Sequence, residues 1–531
     1  MNQPPSNNTE NSGEIYGGNP VESAYQSATE IEGGQNQPTV PFQPEASAAG
    51  ADIGSSGVQS SDTGMMAPPP FAENNKKKFF VVGLFGVIFL LIVFLLISFI
   101  SSRLRKGSTG SSSITLQYWG LWEEKNLIQP IIDEYQKSHP GITINYSRQD
   151  PIDYGLRLQK AIDRGEGPDI FRFHNTWVPA FRNELAAMPK TVYSDDEYKK
   201  IFYPIAEKDM KLGSSYYGIP LTIDGLLLFY NEDILNSANV KPPKLWDDMV
   251  KSARKITVRE GARIATAGVA LGNAENIEHF SDILGLLMLQ NGTAPLTSLD
   301  ACFQDGKRTA TTACGVEALS FYWQFAVSPN QTWDETFDNS ILAFAGGKVG
   351  MIFAPSWQIF TIKTINPNLK FSVANVPQLP GIEGNQPPRV EMGTYWAEGV
   401  SAKSKNQAAA WEFLKYLSQP ETLQKLYELQ MKSRGLFGEA YPRQDMKDLL
   451  KDNPYLSPIV DAAPYMQSFP ASSRTRDGDG QFNSVLIQYL KNAVNSLAKD
   501  TSPETALNTA NQGFHQVYQR YGLETASSAS P

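Results

Sequence analysis

Most of the chain alternates between segments with the pattern of a strand and segments with the pattern of a helix. Residues 114–119 predict a strand, and residues 123–138 repeat apolar side chains at helical spacing. A strand over 142–147, a helix over 153–164 and a strand over 169–173 follow. Strands that are joined by helices usually form parallel sheets, so this order predicts an α/β fold.

The same alternation continues to the end of the chain. Further helices are predicted over 246–256, 281–290, 316–325, 407–417, 421–431, 484–497 and 503–521, and further strands over 226–230, 348–353 and 371–376. The region from 107 onward is about 425 residues long. Single hydrophobic cores stop growing at about 250–300 residues, so we expect two α/β lobes.

A run of 22 residues without a charged side chain, Phe79–Ile100, precedes this region. Basic residues flank it on both sides, within a segment that spans 76–106. A run of about 20 apolar residues crosses a bilayer as a helix. It is too long for a signal peptide and too far from the N-terminus, and a core helix would not be apolar all round. We therefore predict a single transmembrane helix, whose orientation the equal flanking charges leave open.

Residues 1–75 differ in composition from the rest of the chain. They contain nine acidic residues and neither Lys nor Arg, which accounts for the whole net charge of −9. They are rich in Gly, Ser, Pro, Asn and Gln, so we expect a disordered acidic tail. Residues 107–113 form a Gly/Ser linker. The remaining charges balance, which argues against a general nucleic-acid-binding protein.

The chain contains only two cysteines and four histidines. This excludes a disulfide scaffold or a multi-cysteine metal site and leaves little room for a histidine-built metal centre. We expect no metal and no cofactor. Cys302 and Cys314 could close a short loop as a disulfide in an oxidising exterior, and the alternative is two buried free thiols.

Several short motifs follow one another in a fixed order. They are His139-Pro140-Gly141-Ile142, Gly167-Pro168-Asp169-Ile170, Tyr217-Gly218-Ile219-Pro220, Tyr230-Asn231-Glu232-Asp233, Leu245-Trp246-Asp247-Asp248, Phe344–Met351, Pro355-Ser356-Trp357 and Ala408–Leu414. Together they resemble the family 1 extracellular solute-binding proteins of ABC importers, which are maltose-binding-protein-like, over nearly all of 114–525. The chain departs from that pattern in its long tail and in lacking a cysteine for a lipid anchor near the N-terminus.

The resemblance implies a two-lobed, periplasmic-binding-protein-like clamshell of class II over 114–531. One lobe would comprise about 114–223 and 397–460, and the other about 224–396 and 461–531. Hinge passages would fall near 219–224 and 395–398. Open α/β sheets bind ligands at the carboxyl ends of their strands, so the cleft is expected there.

The resemblance also implies a function. The protein would capture a carbohydrate, an oligosaccharide, outside the cell and deliver it to ABC permease subunits on separate chains. It would be a monomer, anchored in the membrane through residues 79–100 with its tail in the cytoplasm. A sensor or adhesion protein that uses the same clamshell is the alternative. Glycoside hydrolysis would need a carboxylate pair such as Glu123 with Asp224, and no sequence feature identifies one.

A carbohydrate site needs aromatic rings against the apolar faces of the sugar and polar groups for its hydroxyls. Trp246, Trp323 and Trp411 lie at apolar helical positions and are expected in the core. The aromatic candidates near strand ends are Trp119, Trp122, Trp177, Trp357 and Trp396. The other candidates are Glu123, His174, Asn175, Asp224, Asn273, Glu275, Arg476 and Phe482, the last two in a late loop. For each tryptophan, core packing is an equal alternative. For the charged candidates a solvated surface position is favoured over ligand contact, except for Asp224, where the two are equal. Asp224 occupies the position where the family often has a sugar-contacting acid.

Overall fold

The computed structural model describes residues 113–304, 307–308, 313–381, 387–472, 475 and 481–523. The predicted acidic tail, the predicted membrane span over 79–100 and Arg476 lie outside these residues. Within the described ranges, no helix combines the length and the apolar character that crossing a membrane requires.

The strands alternate with helices along the described chain, as the periodicity predicts. The strands are β1 (Ile114–Gly120), β2 (Ile142–Arg148), β3 (Ile170–His174), β4 (Lys211–Leu212), β5 (Ser215–Tyr216), β6 (Ile219–Pro220), β7 (Leu226–Asn231), β8 (Val258–Glu260), β9 (Arg263–Val269), β10 (Thr293–Ala294), β11 (Ser298–Gln304), β12 (Lys307–Arg308), β13 (Val349–Pro355), β14 (Phe371–Ala374), β15 (Glu391–Met392), β16 (Trp396–Val400) and β17 (Met466–Gln467).

The helices occupy the segments where apolar residues recur at helical spacing. They are α1 (Lys125–Ser138), α2 (Tyr154–Asp163), α3 (Asp195–Ile201), α4 (Pro204–Met210), α5 (Glu232–Ser237), α6 (Trp246–Ile256), α7 (Phe280–Gln290), α8 (Cys314–Trp323), α9 (Ser340–Ala345), α10 (Gln358–Ile365), α11 (Gln407–Leu417), α12 (Pro420–Arg434), α13 (Ser457–Ala462), α14 (Phe482–Leu497) and α15 (Pro503–Tyr521).

Helix α1 shows how the local sequence produces these elements. Its buried face consists of Ile128, Ile131, Ile132 and Tyr135, which recur at three- and four-residue intervals. The helix ends where the backbone N–H of His139 donates to the last carbonyls of the helix. The Pro-Gly pair that follows has Gly141 at a φ of 98°, a conformation that favours glycine.

Two five-stranded sheets organise the described residues. The first has the strand order β2-β1-β3-β16-β6, with β1 parallel to β2 and β3 and with β16 antiparallel to both β3 and β6. The second has the order β14-β7-β13-β9-β8, with β13 parallel to β9 and antiparallel to β7. Helix α12 packs on α1, whereas α15 packs on α8 and β11. Because β6 and β16 lie in the first sheet, whereas β7 and β14 lie in the second, the chain passes between the two sheets more than once.

The tryptophans that were assigned to the core divide between buried and half-buried positions. Trp246 and Trp411 are almost fully buried, which confirms the prediction for these two. Trp323 is half-buried on α8 and packs against the core, so it lies at the margin of the core. Trp333, which the sequence does not assign, is fully buried, and its indole N–H donates to Asn276 Oδ1 at 2.8 Å.

The sulfur atoms of Cys302 and Cys314 are bonded to each other. Cys302 lies in β11 and Cys314 begins α8, so the bond closes the short chain segment between a strand and a helix. A covalent link of this loop size restricts the unfolded chain and stabilises the folded state by about 3 kcal/mol in the chain-entropy model.

Candidate functional site

The carboxyl ends of β1 and β3 and the start of β16 lie at one edge of the first sheet. Strand β16 runs antiparallel to β3, and its first residue, Trp396, is the register partner of His174. Trp122 follows β1 by two residues, and Trp177 follows β3 by three. The tertiary structure thus collects residues that are far apart in sequence at the edge where α/β sheets bind ligands.

The rings at this edge form an aromatic cluster of Trp122, His174, Trp177 and Trp396. The ring of Trp396 makes edge-to-face contacts with the other three, at centroid distances of 5.5 Å to Trp122, 5.1 Å to His174 and 5.7 Å to Trp177. Trp122 and Trp396 are half-buried, whereas His174 and Trp177 are buried. Only Trp122 and Trp396 of this cluster therefore have substantial ring area available to a ligand.

Trp177 also makes contacts outside the aromatic cluster. Its ring stacks on Phe181 at 5.0 Å, and its indole N–H donates to Asn483 Oδ1 at 2.6 Å. Asn483 Nδ2 in turn donates to Thr176 Oγ1 at 2.9 Å. These bonds tie the end of β3 to the first turn of α14, so Trp177 acts in packing.

His174 and Asn175 are buried and hydrogen-bonded to neighbouring protein groups. His174 Nδ1 lies 2.9 Å from Thr176 Oγ1, and its Nε2 lies 3.0 Å from Thr394 Oγ1. Asn175 Nδ2 donates to Asp209 Oδ2 at 2.8 Å, and Asn175 Oδ1 accepts the N–H of Tyr395 at 3.2 Å. Both side chains therefore hold the segment before β16 against the end of β3.

Asp224 lies in the passage between the two sheets, after β6 and before β7. Its Oδ1 accepts the backbone N–H groups of Gly225 at 2.7 Å and Ser356 at 3.2 Å. Burial raises the pKa of the Asp224 carboxyl to about 7, although hydrogen bonds from Gly225 and Ser356 favour the ionised form. The residue as a whole is half-buried, at the passage between the two sheets.

Trp357 follows β13 of the second sheet and is 40% exposed. The residue before it, Ser356, is the one whose N–H is bound by Asp224. The backbone carbonyl of Asp224 also accepts the N–H of Thr394 at 3.0 Å, and Thr394 contacts His174. A continuous chain of contacts thus links Trp357 to the aromatic cluster. Trp122, Trp396, Asp224 and Trp357 are hereafter called the candidate site.

Glu123, which directly follows Trp122, belongs to a buried ion-pair network that was not predicted from the sequence. Arg172 on β3 donates to Glu398 of β16 at 2.6 Å and pairs with Glu123, and all three side chains are buried. Tyr118 donates its hydroxyl to Glu398 at 2.9 Å. Burial raises the pKa of the Glu398 carboxyl above its ordinary value, whereas Arg172 acts in the opposite direction.

This network accounts for Glu123, which the sequence nominated as a ligand group. Its carboxylate faces Arg172 inside the protein, and Gln430 Nε2 lies 3.4 Å from its other oxygen. Because Glu123 directly follows Trp122, the ion pair anchors the loop that carries this ring. An arginine within the otherwise apolar strand Ile-Phe-Arg-Phe was the sequence signal that could have indicated a buried carboxylate partner.

Three other candidates lie in different surroundings. Asn273 is buried, and its carbonyl accepts the hydroxyl of Tyr322 at 2.7 Å. Glu275 is exposed and pairs with Lys491 at 2.8 Å and with Asn495 at 2.7 Å. Trp119 is half-buried within β1, and among the described residues it makes no ring contact with the aromatic cluster.

Phe482 is the first residue of α14, so the prediction that it lies in a loop is wrong. Its ring packs on Tyr518 at 6.4 Å and on Tyr521 at 5.2 Å, and it is buried. Phe482 and Trp177 line one small pocket together with Phe181 and Tyr521. Arg476, its predicted neighbour in the site, lies outside the described residues.

The described residues offer no cluster of three or more His, Cys, Asp or Glu side chains placed to hold a metal ion. Two α/β sheets joined by paired passages, with half-buried tryptophans at the first and an exposed tryptophan at the second, define a solute-binding protein of the periplasmic-binding-protein type. The family model described as a bacterial extracellular solute-binding protein matches residues 121–424. The chain belongs to this family, the family 1 solute-binding proteins of ABC importers.

Three individual proteins that are similar to the chain share 18–28% sequence identity with it. A binding protein of Brucella abortus (strain 2308) is 28% identical over 308 residues, which are 55% of this chain and 69% of that protein. The maltotriose-binding protein of Pyrococcus abyssi is 22% identical over 61% of this chain and 66% of its own length. The crystal structure of a cyclo/maltodextrin-binding protein complexed with maltotetraose superimposes with a TM-score of 0.58 at 18% identity, over 76% of this chain and 97% of that one.

Proposed function

We propose that the protein is a membrane-anchored, extracytoplasmic solute-binding protein that captures an oligosaccharide for an ABC importer. The observation that carries this proposal is the candidate site, in which Trp122 and Trp396 present ring area on the first sheet and Trp357 presents it on the second. Aromatic rings of this kind cover the apolar C–H faces of sugars. Asp224, a half-buried residue that binds Ser356 next to Trp357, has a carboxyl group that can accept hydrogen bonds from sugar hydroxyls.

We infer that the ligand is enclosed by a hinged closure of two lobes. The passages between the sheets lie side by side, since Gly225 and Gly393 form an antiparallel bridge and Thr394 donates to the carbonyl of Asp224. A Cβ atom on Gly225 would lie 2.4 Å from the carbonyl oxygen of Met392, so this close approach requires glycine. Rotation about such short paired passages is a common closure motion and would bring Trp357 toward Trp122 and Trp396.

The relatives support an oligosaccharide as the ligand. One relative is named a maltotriose-binding protein, and a solved structure with the same fold holds maltotetraose. Other relatives are named a multiple sugar-binding protein and arabinooligosaccharide-binding proteins. Their names agree in the class of ligand and differ in the sugar, so we propose the class alone.

The remaining parts of the proposal concern the setting of this domain. The span 79–100 would hold the protein in the membrane, with the acidic tail in the cytoplasm and the binding domain outside. The protein would act as a monomer and without catalysis, and the permease subunits would be separate chains. Of the carboxylate pair considered for glycoside hydrolysis, Glu123 and Asp224, Glu123 is paired with Arg172 inside the protein.

A binding screen tests the ligand. The full-length chain, solubilised in a detergent without a sugar headgroup, is heated with maltotriose, maltotetraose, mannobiose, an arabino-oligosaccharide, a tripeptide or a polyol. A ligand at 100 times its Kd stabilises the folded state by about 2.7 kcal/mol, which raises the Tm measurably. Stabilisation by the peptide or polyol, with none by any oligosaccharide, would contradict the proposal.

A fractionation experiment tests the anchor. The full chain is expected to stay with membranes after alkaline extraction, and protease added to intact cells is expected to release the domain from 107 onward. A chain that alkali extracts completely, or a domain that protease reaches only after lysis, would contradict the proposed topology.

A further inference from the structure

A buried polar cluster lies behind the exposed ring of Trp357. It consists of His279, Asp282 and Gln358, which are at most 3% exposed. His279 Nδ1 lies 3.3 Å from Asp282 Oδ2, and His279 Nε2 lies 3.3 Å from Gln358 Nε2. Burial of polar side chains is costly unless they contact one another, so a cluster of three next to an exposed tryptophan indicates a structural role for them.

The hydrogen-bond pattern assigns each group in this cluster. The amide nitrogen of Gln358 is a donor, so Nε2 of His279 accepts and Nδ1 carries the proton. Nδ1 lies 3.3 Å from Asp282 Oδ2, a close contact that lacks hydrogen-bond geometry. This tautomer is an assignment from the network. If the amide of Gln358 were turned around, its oxygen would accept from a protonated Nε2. In both arrangements the imidazole connects the first turn of α7 to the first residue of α10.

The cluster reaches Trp357 in two ways. The ring of His279 contacts the ring of Trp357 edge to face, at 6.0 Å and 80°. Gln358 directly follows Trp357 in the chain, and its side chain is held by His279. On the other side, Ser356 is held by Asp224. Both residues next to Trp357 are therefore held by hydrogen bonds, while Trp357 itself is 40% exposed.

We propose that His279, through its ring contact with Trp357 and its hydrogen bond with Gln358, is a positioning residue that holds the ring of Trp357 as the sugar-stacking platform of the second sheet. This inference rests on the proposed function of the candidate site. A platform that is already ordered before binding saves the entropy of ordering it when the ligand arrives. Sites whose supporting residues are locked by hydrogen bonds bind more tightly than sites with loose ones.

A double-mutant cycle tests the coupling between the two residues. The affinity of the full-length chain for maltotriose is measured by calorimetry for the wild type, His279→Ala, Trp357→Ala and the double variant. His279→Ala is expected to raise the Kd about three- to ten-fold, the range of an aromatic contact. In the Trp357→Ala background the same change is expected to have no further effect.

A control variant separates positioning from general destabilisation. Gln290 is buried on the same helix, α7, and its Oε1 accepts the indole N–H of Trp246 at 2.6 Å. Gln290→Ala is expected to lower the Tm and to leave the Kd for maltotriose unchanged. If His279→Ala does not fold, His279→Gln replaces it, because Gln retains a polar group and loses the ring contact.

A measurement without ligand keeps this inference apart from the proposed function. The chain carries nine tryptophans, and incorporation of 5-fluorotryptophan gives each a ¹⁹F resonance. The resonance that is absent from Trp357→Phe belongs to Trp357. His279→Ala is expected to shift or broaden it and to leave the Trp246 resonance in place, whereas Gln290→Ala is expected to do the reverse.

The outcomes are distinct. An unchanged Trp357 resonance, or an equal rise in Kd in both backgrounds of the cycle, would overturn the positioning role. A wild-type chain that binds no oligosaccharide would overturn the proposed function, and the ¹⁹F spectra would still decide whether His279 positions Trp357.

Discussion

The backbone N–H of Thr394 donates to the carbonyl oxygen of Asp224 at 3.0 Å, and this bond joins the two passages that connect the sheets. Each residue also contacts one wall of the candidate site. The Thr394 side chain is hydrogen-bonded to His174, whose ring contacts Trp396. The Asp224 carboxylate is hydrogen-bonded to Ser356, which precedes Trp357. A ligand that touches either wall therefore acts on the segments about which the proposed closure would turn.

Removal of the central ring of the aromatic cluster is expected to weaken binding. Trp396→Ala deletes the ring that contacts Trp122, His174 and Trp177, and with it one half-buried face of the site. We expect the Kd for the oligosaccharide found in the screen to rise about ten-fold or more in calorimetry. Trp323→Ala, which removes another half-buried tryptophan from α8, is the control. An equal effect of both substitutions would mean that Trp396 acts through stability alone.

Asp224 is expected to make the stability of the protein depend on pH. Its pKa is about 7 in the folded protein and about 3.8 in the unfolded chain, because burial disfavours the charged form. The folded state therefore binds the proton more tightly, and the stability that this provides is complete below about pH 4 and is lost as the pH rises toward 7.

The substitution Asp224→Asn isolates this effect, because the amide oxygen can still accept the N–H groups of Gly225 and Ser356. We compare the free energy of unfolding of the variant with that of the wild type at each pH. From pH 4 to pH 8, this difference is expected to change by about 1–3 kcal/mol in favour of the variant, after allowance for the partial exposure of Asp224. Thermal unfolding at a series of pH values measures the difference. A difference that does not change with pH would show that Asp224 titrates as an ordinary surface acid.

Loss of the buried cation is expected to be strongly destabilising. Arg172→Met leaves the carboxylates of Glu123 and Glu398 without their partner inside the protein, which costs about 3–5 kcal/mol. Adding Glu123→Gln and Glu398→Gln is expected to recover most of that loss, because no buried charge remains. Urea unfolding measures both variants. Arg148→Met, which breaks an exposed pair with Glu124, is the control and should change stability by less than about 1 kcal/mol.

The disulfide is expected to stabilise the region of β11 and α8 without affecting ligand binding. The double variant Cys302→Ala with Cys314→Ala should lose about 3 kcal/mol of stability. Its affinity for the oligosaccharide should equal that of the wild type. Mass spectrometry after alkylation checks the bond itself, and two modified thiols in the native, unreduced protein would contradict it.

Much of the fold was predictable because it depends on local periodicity. The strand at 114–119 and the helix at 407–417 appear in the structure within a residue of their predicted bounds. Periodicity also separated Trp246 and Trp411, which are buried, from Trp122 and Trp396, which are half-buried at strand ends. These assignments need only the spacing of residues along one element.

The chemistry of individual polar residues was less predictable. Glu123 follows a tryptophan near a strand end, as a sugar-binding acid could, yet its partner is Arg172, 49 residues away. Arg172 also bonds Glu398 across 226 residues. Phe482 was expected in a loop; it begins α14, and its ring packs on Tyr518 and Tyr521 of α15, contacts that the local sequence pattern does not reveal.

The amino-acid sequence by itself determined which segments are strands and helices, because side-chain spacing sets the face that each element buries. It also carried enough ordered motifs to indicate the family. The tertiary structure alone decided which polar groups meet. His279 and Gln358, or Asp224 and Ser356, are separated by 79 and 132 residues, and only the packing of the strands and helices brings their atoms within hydrogen-bond distance.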